Sequence, residues 1–149
     1  MRPTTVTRDT YNNILETGYY TFNHIQATFY QQAHQCSARY APDVSEFEAT
    51  GLSPLFKNNF PAPYVAASSI QIGLSFQEEI PIPLNGTLLM IGAVEEIYLP
   101  KEVIGEDGYV DIQQAGTITC SSLDAYHTTQ KLKRLSYAKV DQSLLEKDF

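Results

Sequence analysis

Between Asp9 and Gly18 the apolar positions Tyr11, Ile14 and Leu15 recur at helical spacing. Asp9 or Thr10 can cap the start, and Gly18 stands where a left-handed C-terminal residue belongs, so a short helix is expected. Tyr20, Phe22 and His24 then alternate with Tyr19, Thr21, Asn23 and Ile25, the pattern of a strand bulky on both faces. Residues 26–41 read as a polar helix with Phe29, Ala33, Cys36 and Tyr40 along one face, stopped by Pro42. Ser45-Glu46-Phe47-Glu48 has the form of a capping box and predicts a brief helix closing near Gly51. The three prolines and two asparagines of residues 53–63 predict an irregular connection.

From Ile70 the period changes to two. Ile70, Ile72, Leu74, Phe76, Ile80, Ile82 and Leu84 share even parity, which predicts a long strand with one buried face and a bulge near Glu78-Glu79. Asn85-Gly86 predicts a tight turn, and residues 87–98, apolar on both parities through Val94, a second strand covered on both sides and paired to the first as a hairpin. Gly105 to Gly108 reads as another turn, with short strands at Tyr109–Ile112 and Thr117–Leu123. Residues 124–134 read as a helix capped by Asp124, and the polar tail from Val140 as peripheral. Four or five such strands tend to curl into a barrel, yet so few seldom close one, so another chain or a further segment is expected to complete the sheet.

At 149 residues with 43% hydrophobic positions, 10 Tyr and 7 Phe, the chain reads as one folded domain, residues 1–149. A formal charge of −7 argues against nucleic acid as a partner. The first ten residues run the other way, with Arg2 and Arg8 against Asp9 alone, a basic spot suited to a small anion. No apolar run approaches the roughly 20 residues that span a bilayer, so no membrane partner is expected. Two widely separated cysteines, Cys36 and Cys120, and the want of a charged-then-apolar leader make cytoplasmic residence the expectation. Asn85-Gly86-Thr87 matches a glycosylation triplet but is better read as the hairpin turn.

The opening cluster carries the most chemistry. A helix N-terminus offers unpaired amides and partial positive charge, and Thr5 and Thr7 before it, Thr10 at its entry, and Arg8 and Arg2 at its edges would add charge-assisted bonds to a phosphate. Ordinary capping by Asp9 or Thr10 is the plainer alternative. His24, His34, Cys36, Cys120 and His127 match no standard zinc spacing, and a thiol pair of Cys36 with His24 or His127 rests on composition alone. Glu78-Glu79 and Glu95-Glu96 point to opposite faces of their strands and do not form an acid/base pair.

The segments RPTTVTRDTYNNILETGYYTFNHI, SEFEATGL, NGTLLMIGAVEEIYL, DGYVDI and LDAYHTTQKLKRLSYAK follow one another in the order and spacing of a known family. Over nearly its whole length the chain resembles the flavin reductase-like family, in the bacterial branch with the Arg-Leu-Ser-Tyr-Ala-Lys ending. The resemblance implies a mainly β (α+β) fold, an antiparallel FMN-binding split β-barrel with short flanking helices. It implies FMN as cofactor, or FMN, FAD or riboflavin as substrate, hydride from NADH or NADPH, and a homodimer with flavin near the subunit boundary. Carried over by position, it puts Thr5, Thr7, Arg8 and Thr10 on the flavin phosphate with Arg2 as neighbour. Ser121, Tyr126 and Tyr137 fall in the segment that approaches the flavin face, where core aromatics are an equally good account. Family members begin with further strands that close the barrel, so a domain short of its N-terminal strands is expected. The reading alternative to a reductase is a noncatalytic flavin-binding or dimerisation module.

Overall fold

The structure, a computed structural model, describes residues 9–147. Helix α1 (Asp9–Thr17) buries Ile14 and ends as its sequence requires: the Gly18 N–H donates to the Ile14 carbonyl at 2.8 Å, with Gly18 at φ +74°. The chain reverses into β1 (Tyr19–Asn23), which pairs antiparallel with β4 (Gln71–Ile82), itself paired with β5 (Thr87–Tyr98). The order β1-β4-β5 makes an open three-stranded sheet. At the hairpin tip the Gly86 N–H donates to the Ile82 carbonyl at 2.9 Å, and Asn85 Oδ1 accepts from the Thr87 amide.

Two bulges govern which way the hairpin's side chains face. Phe76 pairs with Gly92 but Glu78 with Ile91, so Gln77 is an extra residue in β4; Leu74 pairs with Val94 but Gly73 with Glu96, so Glu95 is extra in β5. Before Gln77, the face bearing Leu74 and Phe76 also bears Tyr20, Phe22 and Val94. After it the alternation inverts, and Ile80 and Ile82, with Leu89 and Ile91, lie on the opposite face, all four exposed. The expected single buried stripe is therefore two patches, and no residue of β5 is buried, contrary to the expectation of cover on both sides.

The core lies at the inner half of the sheet. Phe60, Ala62 and Tyr64 pack with Tyr19, Leu55 and Tyr98, and Ile70, Val103 and Ala115 pack with Ile72, Leu99 and Val110. The first cluster closes on Gly73, where the Tyr64 ring approaches the β4 backbone across the space a Cβ would fill.

Several expectations are corrected. Within residues 26–41 only α2 (Tyr30–Gln35) is helical, and Phe29 at its entry is buried at φ −139°. α3 (Glu46–Thr50) forms and ends on Gly51 at φ +73°, but Ser45 makes no side-chain cap bond, so the box is not closed. The connection over 53–63 is irregular apart from β2 (Pro54–Leu55), which pairs with β3 (Tyr64–Val65). Residues 109–112 form no ladder, only a bridge from Val110 to Ile104, because Asp111 turns the chain: its Oδ1 accepts from the Gln113 and Gln114 amides, each at 3.0 Å. The predicted helix over 124–134 is absent. β6 (Ile118–Ser121) turns at Ser122, φ +58°, into β7 (Ala125–Thr128), and pairing between the two overrides the capping signal of Asp124.

The C-terminal segment is exposed but fastened. β8 (Arg134–Leu135) pairs with β9 (Glu146–Lys147), Arg134 bonds Asp107 at 2.5 Å, and Lys131 bonds the buried Asp111. No described helix is long and apolar enough to cross a membrane.

Candidate functional site

The first turn of α1 opens onto a groove of about 610 Å³. Asp9 and Thr10 form one wall, and the segment after α2, from Cys36 to Tyr40, forms the other with Pro42 and Glu46. First-turn amides of a helix have no intrahelical acceptor, and the dipole adds partial positive charge there. The facing segment is tied in place: Cys36 Sγ lies 3.6 Å from Thr50 Oγ1, and Gln35 Nε2 donates to the Tyr40 hydroxyl at 3.1 Å. It carries Arg39, which makes no ion pair among the described residues. The exposed Arg39 thus lines the same groove as the first turn of α1, together with the acidic Asp9 and Glu46.

Of the residues singled out in the sequence, Thr10 is on this groove. Arg2, Thr5, Thr7 and Arg8 lie outside the described residues, although Arg8 is peptide-bonded to Asp9. Arg39 was hidden in what reads as an unbroken polar helix; the Arg-Tyr-Ala-Pro run marking a helix end was the available signal.

Ser121 and Tyr126 both lie on the β6–β7 hairpin, but Ser121 pairs with Ala125 and Tyr126 with Cys120, which puts their side chains on opposite faces. Ser121 Oγ lies 2.8 Å from His127 Nε2, and the Tyr126 hydroxyl lies 3.1 Å from His34 Nδ1. The Tyr126 ring meets Tyr30 at 5.2 Å and the His34 ring edge-on at 5.7 Å, and desolvation raises the pKa of its hydroxyl. Tyr126 also lines a recess of about 300 Å³ with His24, Thr117, Thr119 and Cys120. His24 Nδ1 sits 3.0 Å from Thr117 Oγ1, and burial lowers its pKa, which favours the neutral ring at pH 7. α2 links recess and groove, since His34 touches Tyr126 and Cys36 lines the groove two residues later. Tyr137 is 86% exposed and lines neither cavity.

The remaining polar candidates are occupied. Cys36 meets Thr50 and not a histidine, and no group of three or more metal-ligating side chains gathers among the described residues. Glu79 accepts from the Tyr11 hydroxyl at 2.8 Å, Glu95 from Ser75, and Glu96 from Tyr64 and Tyr98.

The geometry has relatives. A split-barrel protein provisionally named a flavin reductase, from Shewanella frigidimarina, superposes with a TM-score of 0.85 at 43% identity over 87% of this chain and 65% of its own. The chain thus spans just under two thirds of that relative's length. Component B of nitrilotriacetate monooxygenase from Bacillus cereus superposes at 0.77 with 20% identity, over 90% of this chain and 68% of its own. Flavoredoxin of Desulfovibrio vulgaris superposes at 0.70 with 20% identity, over 91% and 69%. These two likenesses speak for the fold alone, an open antiparallel version of the split barrel. No curated protein matches the chain. The family model described as the flavin reductase like domain matches residues 4–117, from the basic opening stretch to the start of β6, and the chain belongs to that family.

Proposed function

We propose that the chain binds FMN, with FAD or riboflavin as alternative flavin substrates, and transfers hydride to the flavin from NADH or NADPH. The observation that carries this reading is the groove that the first turn of α1, with Thr10, lines together with Arg39. A phosphate monoester is a compact dianion, and free amides, a helix dipole and guanidinium groups are the donors it calls for. Asp9 and Glu46 oppose it and Arg39 favours it, and the proposal adds Arg8 and Arg2, which precede Asp9 in the sequence, as further cationic donors. The volume lies within the range of small-molecule sites.

Thr5 and Thr7 take the same phosphate role in this proposal. Tyr126 is assigned to the wall nearest the flavin ring, supported by the α2 link from groove to hairpin, whereas Ser121, on the other face of the hairpin, is assigned by the family likeness alone. Tyr137 enters through the family likeness alone. Bound flavin supplies a ring that takes up hydride, so the chain's own residues have to bind, orient and keep out water. The neutral His24 suits such a wall, since it brings no charge that would hold solvent in the recess.

The proposal extends to a homodimer, supported by the exposed apolar patch of Ile80, Ile82, Leu89 and Ile91, and to residence in the cytoplasm, supported by two free thiols. The test is a visible spectrum of the purified chain titrated with FMN, followed by NADH or NADPH oxidation at saturating flavin. A perturbed flavin spectrum with flavin-dependent oxidation is the expected result. Binding without oxidation by either nucleotide leaves a flavin-binding module and refutes the reductase; no spectral change refutes both.

A further inference from the structure

A second groove, of about 450 Å³, shares no lining residue with the phosphate groove or the Tyr126 recess. Its charged residue is Lys57, carried on the irregular connection before β3. Lys57 Nζ donates to Gln71 Oε1 at 2.5 Å. Gln71 is only 3% exposed, and its Nε2 donates to the Val65 carbonyl at 2.7 Å, so the amide is locked with its oxygen toward the ammonium. On another side the ammonium stands 4.0 Å from the centre of the Tyr98 ring.

These contacts hold the Lys57 ammonium without neutralising it. It makes no ion pair among the described residues. A carboxylate on the same network, that of Glu96, is engaged elsewhere: Oε1 accepts from Tyr64 at 2.5 Å and Oε2 from Tyr98 at 3.0 Å. The Tyr98 hydroxyl in turn accepts from Asn58 at 2.6 Å, which keeps the ring in place under the lysine. Of three ammonium protons one is taken by Gln71 and another side of the group faces the Tyr98 ring, which leaves donor capacity for the groove, whose walls include Leu55 and Leu99.

We propose that this groove binds a small organic carboxylate, its oxygens on Lys57 and its apolar body against Leu55 and Leu99. A single lysine is a point charge suited to a monoanion, whereas a phosphate dianion calls for several donors or a guanidinium fork, as at α1. A half-buried cation already fixed by a neutral amide and an aromatic face loses little freedom on binding. The site stands apart from the flavin reading and does not depend on it.

The test uses the full chain without added flavin and benzoate as the probe, followed by calorimetry and by NMR shifts at the groove. Benzoate is expected to bind at least about tenfold more tightly than benzamide, its neutral counterpart, the ratio for losing a hydrogen bond to a charged group. Lys57→Gln, which keeps a donor for Gln71 and removes the charge, should reduce benzoate binding to the level of benzamide. Equal binding of benzoate and benzamide by the unaltered chain overturns the proposal whether or not the variant folds. So does undiminished benzoate binding in a folded Lys57→Gln chain, stronger binding of inorganic phosphate at the groove, or no binding at all.

Discussion

Replacing Gly73 by alanine tests the packing that holds the core against the sheet. The new methyl would stand 2.3 Å from the Tyr64 hydroxyl oxygen, 2.9 Å from Phe60 Cζ and 3.0 Å from Glu96 Cγ. Van der Waals optima lie near 3.5 Å, so the Tyr64 ring must retreat by about 1 Å. It has nowhere to go: Tyr64 is 0% exposed, and its hydroxyl is bonded to Glu96. Overpacking costs about 1–3 kcal/mol, and weakening a hydrogen bond to a charged acceptor up to about 1.5–3 kcal/mol. Alanine's smaller entropy loss returns about 0.5–1 kcal/mol. The expected net loss is about 2–5 kcal/mol, seen as a lower urea midpoint at unchanged slope.

Gly92→Ala is the matched control, because its methyl would stand 2.3 Å from the Tyr20 hydroxyl oxygen, the same distance. Tyr20 is half-buried and its hydroxyl has no hydrogen-bond partner among the described residues, so it can swing outward. The loss there should stay within about 1 kcal/mol. In a Tyr64→Phe background the most severe contact at Gly73 is gone, and the cost of Gly73→Ala should shrink by about 1–2 kcal/mol. Equal losses at Gly73 and Gly92, or a Gly73→Ala penalty unchanged by Tyr64→Phe, would refute the reasoning.

Three further outcomes follow from the site and its supports. Arg8→Ala and Arg39→Ala should each weaken FMN binding by about 1.5–3 kcal/mol and leave riboflavin nearly unaffected; equal losses for both ligands in a fluorescence titration would remove that arginine from the phosphate. The Lys131 ammonium, with the Gln114 and Gln113 amides, holds the Asp111 carboxyl below its ordinary value of 3.8, so its stabilisation is present above that pH and is lost as pH falls through the lower folded value. Asp111→Asn should therefore cost about 1–3 kcal/mol at neutral pH and flatten the decline below about pH 4, and acid melts that stay parallel to the unaltered chain would contradict this. Leu89→Ser with Ile91→Ser should shift a dimer toward monomer in light scattering; a dimer of unchanged affinity would place the interface elsewhere.

What was legible in the sequence depended on how locally each feature is determined. α1 and its end at Gly18, the Asn85-Gly86 turn and the paired strands around it rest on capping, positive φ and period-two alternation within a few residues, and all appear. Thr10 stands on the groove, inside α1 and not at the capping position that the sequence suggested. Arg39 and the His34–Tyr126 contact were not legible, because they depend on where the chain returns after α2 and on β6–β7 pairing, which no local signal in 124–134 announces. The bulge near Glu78 was expected, yet its consequence was missed. A period-two pattern says which residues are apolar, whereas the number of residues between paired positions says which side they face. With Gln77 counted in, Leu74 and Ile80 share parity in sequence and oppose each other in space. The inner patch finds cover at Leu74 but leaves Phe22 and Val94 exposed, while Ile80, Ile82, Leu89 and Ile91 stay exposed on the other face, and that single inserted residue is why the apolar positions, continuous in parity along the sequence, are divided between two faces of the hairpin.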